Sequence, residues 1–116
     1  MKEDAIQRAV FDHLKRRAVP NVVAFHPKNG GAHQGGKGAA INAAQGVMAG
    51  IPDVIAVKDG HFYGLELKSE SGQINATQAR MHAELKFAGA TVAVAFGFND
   101  AIKQLEKWGL VKGETQ

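Results

Sequence analysis

Apolar positions between residue 3 and about residue 17 recur at helical spacing. Ile6, Val10 and Leu14 form one stripe, and Lys15, Arg16 and Arg17 gather in the last turn. The pattern then changes. VVAFH at 22–26 reads as a short strand, and a glycine-rich passage from Pro27 to Gly46 is expected to be a loop. In the stretch DVIAVKDGHFYGLELK, Asp59-Gly60 separates two runs rich in β-branched and aromatic residues, which suits a two-residue type I′ hairpin. Ser71-Gly72 marks a turn, and Asn75 opens a helix to about Ala88 with Met81, His82 and Leu85 facing inward. Gly89 ends that helix, TVAVAF at 91–96 is a buried strand, and Asn99 or Asp100 opens a last helix with Ile102, Leu105 and Trp108 spaced for a core. The order is α-β-β-β-α-β-α. That is an α/β fold with a mixed sheet flanked by helices, one domain over residues 1–116.

The hairpin carries the chemistry. If Lys58 pairs with His61 across the turn, counting outward places Asp53 opposite Glu66, and strand alternation puts Lys68 on the same face. Opposed side chains on neighbouring strands have Cβ atoms about 4.5–5.5 Å apart, so two carboxylates there repel unless something positive lies between them. A hard divalent cation such as Mg²⁺, which takes oxygen ligands and keeps several waters, fits that position. A solvated Glu-x-Lys surface pair is the plainer alternative. Against it, Asp53 and Glu66 share their face with Ile55, Val57 and Phe62, while Val54, Ala56, Tyr63, Leu65 and Leu67 occupy the other. Apolar residues on both faces predict a sheet covered on both sides, where a charge needs a partner.

Composition narrows the remaining classes. The chain has 116 residues, no cysteine and a net charge of +3, so there is no disulfide framework and no thiolate zinc site, and a polyanionic partner is suggested. The five histidines lack the close pairing of a zinc motif and read as packing or surface residues. No apolar run approaches the ~18–20 residues of a membrane span, and the charged N-terminus is unlike a signal peptide, so the expectation is a cytoplasmic protein with no membrane partner.

Several further residues have two readings. Glu3 lies on the inward stripe of the first helix, where it either complements the helix dipole or reaches the acid cluster. Arg16 and Arg17 suit the dipole at the helix end and equally a phosphate. Lys37 and His33, in the glycine-rich passage, are available to phosphates. GAHQGGKG at 31–38 nearly matches the phosphate-binding GxxxxGK[ST] loop, but Gly38 replaces the hydroxyl residue that would hold Mg²⁺, so no nucleotide cofactor is expected. Asn75-x-x-Gln78 fits a capping box, yet Gln78 also lies on the helix stripe that faces the sheet.

Gly50-Ile51-Pro52-Asp53, the thirteen-residue step to Glu66-Leu67-Lys68, then Gly72 and Gln78, resemble the PD-(D/E)xK nuclease superfamily, in particular its VRR-NUC group. The resemblance runs from Glu3 to about Trp108 and implies a restriction-endonuclease-like core and a DNA endonuclease selective for junctions or flaps. It implies Asp53, Glu66 and the main-chain carbonyl of Leu67 as ligands of Mg²⁺ or Mn²⁺, with Glu3 joining them. It also implies Lys68 and Gln78 as catalytic residues. One active site per small domain favours a homodimer for cutting both strands. The rival from another class is a non-catalytic DNA-binding module on the same fold.

Overall fold

The computed structural model describes residues 1–28 and 36–113. Four strands, β1 (Val23–Phe25), β2 (Val54–Lys58), β3 (His61–Lys68) and β4 (Thr91–Phe96), form one sheet in the order β1-β2-β3-β4. The first two pairings are antiparallel and β3 pairs with β4 in parallel, so the sheet is mixed. Asp59 and Gly60 both take positive φ, +53° and +77°, as a type I′ turn requires, and Lys58 pairs with His61. The expected register holds down to Val54 opposite Leu65.

Helices α1 (Glu3–Arg17) and α4 (Phe98–Lys107) cover one face of the sheet. Ile6, Val10 and Leu14 of α1 meet Ala101, Ile102 and Leu105 of α4 over Val54, Ala56, Leu65 and Leu67. This is the core, and its sheet residues are the set expected to face away from the acids. Trp108 packs at its edge with its ring 5.3 Å from that of Tyr63. The last helix opens one or two residues earlier than expected. Gly97 is its N-cap, and Asp100 reaches back to accept the N–H of Phe96 at 2.8 Å.

Helix α3 (Ala76–Phe87) lies on the opposite face, against β4. Its start is a full capping box: Asn75 accepts the N–H of Gln78, and the Gln78 side-chain oxygen accepts the N–H of Asn75. Coverage of this face is partial, contrary to expectation. Among the described residues, Val23 is 64 % exposed and Phe25 47 % exposed, because α3 sits over the β3–β4 side and leaves the β1–β2 side open.

The glycine-rich passage also differs from expectation. Residues Gly36–Ala44 form a helix, α2, so the order is α-β-α-β-β-α-β-α. Its sequence GKGAAINAA has four alanines and no proline, and its two glycines fall in the first turn, where they weaken a helix least. The carbonyls of Asn42 and Ala43 are closed by the N–H groups of Val47 and Gly46.

Candidate active site

Three chain segments meet at the end of the β2–β3 hairpin. Gly50 takes φ +85°, and a Cβ there would lie 2.8 Å from the carbonyl oxygen of Thr77, so only glycine lets the approach to β2 press against α3. Pro52 is fully buried. Together they aim Asp53 at β3, where its Oδ2 accepts the main-chain N–H of Leu67 at 2.8 Å. Strand alternation turns the Leu67 carbonyl to the same side as its N–H, toward Asp53, while the Lys68 carbonyl points the other way and accepts from Gly97.

Glu66 is 3 % exposed, deep in the face covered by α3. Its Oε2 accepts from Nε2 of Gln78 at 3.2 Å and its Oε1 lies 3.3 Å from Nε2 of His82. Burial pushes the Glu66 carboxyl up to about 8, and the neighbouring Asp53 adds to this through its charge and a hydrogen bond; Lys68 pulls the other way, and the charge of Glu3 raises it further. Four of the residues singled out in the sequence thus act on one carboxyl group. The capping and site readings of Gln78 are both satisfied, since its oxygen serves the helix start and its nitrogen serves Glu66.

Lys68 is 8 % exposed and, among the described residues, its ammonium makes no ion pair. Gly72 lies close beside it. A Cβ on Gly72 would sit 3.3 Å from Cβ of Lys68 and 3.4 Å from Oε2 of Glu3, so this glycine lets α1 bring its first acid up to the site. Glu3 and Ser69 line an open depression of about 770 Å³ together with Lys2 and Glu70.

Two of the basic candidates stand apart. Arg16 pairs with Asp12 on the exposed side of α1, and Arg17 donates to the carbonyl of Gly113. Both lie near the far end of a 15-residue helix, about 20 Å along its axis from Glu3. Lys37 falls in α2, and His33 lies outside the described residues.

Two histidines read in the sequence as packing or surface residues touch the acids. His26 bonds through Nδ1 to the Asp53 carbonyl at 2.8 Å. That carbonyl can only accept, so Nδ1 carries the proton. His82 is 5 % exposed, and burial, with Lys86 next, lowers its pKa, so the ring is neutral. The signal for His82 was its place four residues after Gln78 on the inward stripe of α3.

Among the described residues no group of three or more His, Cys, Asp or Glu side chains forms a metal-holding cluster. The donor set offered is two carboxylates and one main-chain carbonyl, with the Glu66 carboxyl held above its ordinary range by burial and then by the acid beside it. Such hard oxygen donors suit Mg²⁺ or Mn²⁺, whose remaining positions go to water and phosphate.

A small four-strand mixed sheet flanked by helices, with this acid pair and lysine at a hairpin end, defines the class as α/β. Comparison with solved structures finds the same fold in a protein described as a VRR_NUC domain protein, with a TM-score of 0.74 and 23 % identity over 100 % of this chain and 97 % of that one. A second, described as a VRR_NUC domain, gives a TM-score of 0.59 and 18 % identity over 92 % and 96 % of the two chains. No family model and no curated protein matches the sequence. The fold is that of the VRR_NUC domain.

Proposed function

We propose that this protein is an endonuclease that hydrolyses phosphodiester bonds in DNA with the help of Mg²⁺ or Mn²⁺. The observation that carries the reading is Glu66: an acid 3 % exposed, opposed by Asp53, beside a lysine, Lys68, that makes no ion pair among the described residues. A module that only held DNA would gain nothing from burying acids next to phosphates. The VRR_NUC names of the two structural neighbours support the same class.

Asp53, Glu66 and the Leu67 carbonyl would hold the cation, with Glu3 at the margin. Bound there, a divalent ion supplies Lewis acidity at the scissile phosphate and lowers the pKa of a coordinated water. Lys68 acts as an electrostatic stabiliser: its ammonium offsets charge gathering on the phosphate oxygens and positions the attacking water. Gln78 holds Glu66 in place from the rigid start of α3.

The open depression beside Glu3 and Ser69 gives a strand of DNA room to approach, and the net charge of +3 favours a polyanion. Selectivity for junctions or flaps, and a homodimer that pairs two sites for opposite strands, complete the reading. Among the described residues no helix is long and apolar enough to cross a membrane. The test is to incubate labelled linear, flap and four-way DNA with the protein in Mn²⁺ or EDTA, with Glu66→Ala as control. Metal-dependent cleavage lost in the variant supports the reading; binding without cleavage in Mn²⁺ overturns it.

A further inference from the structure

We infer that His82 is a positioning residue: with Gln78 it forms a two-point clamp on α3 that fixes the orientation of the Glu66 carboxylate for cation binding. This rests on the nuclease reading of the same site. Only two residues of α3 are buried, Met81 and His82. For packing alone, the second position would be served by leucine, which brings no polar atom into the interior. Instead it carries an imidazole whose Nε2 lies 3.3 Å from Oε1 of Glu66, while Nε2 of Gln78 lies 3.2 Å from Oε2.

The spacing explains why both contacts reach one group. Residues 78 and 82 are four apart, so they stack on the same face of the helix. Gln78 cannot swing away, because its oxygen accepts the N–H of Asn75 at 3.0 Å in the capping box. His82 is enclosed by the same face. Each oxygen of Glu66 therefore has one fixed partner and keeps lone pairs for a cation.

The protonation is determined once Glu66 is a cation ligand. A ligating carboxylate only accepts, so the proton on the His82 ring must sit on Nε2. Partners of this kind, which touch a ligand rather than the ion, typically alter metal affinity or activity by about 10–100-fold when removed. His82 has no direct contact with substrate in this arrangement.

The test compares wild type, His82→Leu and His82→Gln, the last keeping an N–H donor of similar reach. Mn²⁺ affinity is measured by calorimetry without DNA, and crystal structures of the metal-free proteins show the Glu66 side chain. The expectation is about 10–100-fold weaker Mn²⁺ binding in His82→Leu, with recovery of most of the loss in His82→Gln. The Mn²⁺ concentration for half-maximal cleavage rises in step, while KM for DNA stays within about twofold. Glu66 is expected to lose its single orientation in His82→Leu and to keep it in His82→Gln. Wild-type affinity in His82→Leu, or equal losses in both variants, overturns the inference. If wild type neither binds Mn²⁺ nor cuts DNA, the nuclease reading fails, and the inference falls with it if Glu66 also keeps its orientation in His82→Leu.

Discussion

Oδ2 of Asp53 and the main-chain N–H of Leu67 are 2.8 Å apart, so the acid that precedes β2 completes the hydrogen bonding of β3 where the ladder has run out. Asp53 is thus structural and, under the proposed function, chemical as well. One oxygen is committed to the backbone, and the other is left to the site.

Substitutions at Asp53 separate these two roles. Asp53→Asn keeps an acceptor for Leu67 and should leave stability within about 1 kcal/mol of wild type while removing cleavage. Asp53→Ala strands a sheltered N–H and should cost about 1–3 kcal/mol besides. Urea denaturation beside a cleavage assay checks both; equal stability of the two variants would contradict the dual role.

Lys68→Ala should reduce the cleavage rate by about 10²–10³-fold or more and leave DNA affinity largely intact, since its proposed work is at the transition state. Single-turnover cleavage with a gel-shift measurement distinguishes this from a binding role. A normal rate refutes the assignment.

The Glu66 carboxyl gives a pH dependence of definite sign. It holds its proton up to about 8 in the metal-free fold and to about 4.5 when unfolded. Between those values the folded state binds more protons, so stability falls as pH rises from about 4.5 toward 8. Below that window the contribution is fully present. Denaturation midpoints at several pH values check the slope, which Glu66→Gln should flatten.

Mn²⁺ should raise the thermal midpoint, because an ion bound only by the folded state stabilises it by mass action. The rise should grow with pH across the same window, as the cation competes with the proton on Glu66. It should vanish in Glu66→Gln. Thermal scans with and without the ion, then with a chelator, check each point.

Gly50→Ala tests the scaffold behind the acids. Its Cβ would meet Thr77 at 2.8 Å in a backbone conformation that alanine disfavours, for a loss of about 1–3 kcal/mol. Cleavage should drop by more than the unfolded fraction accounts for, because Asp53 moves with that backbone.

The hairpin and its register were legible because Asp59-Gly60 permits a single tight turn, and alternation does the rest. The core followed from helical spacing in α1 and α4. Helix α2 was hidden by its glycines, since the alanines that sustain it look like loop filler beside them. The contact between His82 and Glu66 depends on how α3 lies across the sheet. Periodicity shows that a residue faces inward, and the neighbour it meets there is decided by packing between elements distant in sequence.

The type I′ turn joins the acid pair through a short local segment, whereas Gln78 and His82 arrive only when α3 docks. Hairpins close in about 1–10 μs, so Asp53 and Glu66 become neighbours early in folding, while water still surrounds them. Docking of α3 then shuts that water out. The acid pair is therefore closed off from water only when α3 packs down, and the proton that Glu66 keeps up to about 8 relieves the repulsion that results.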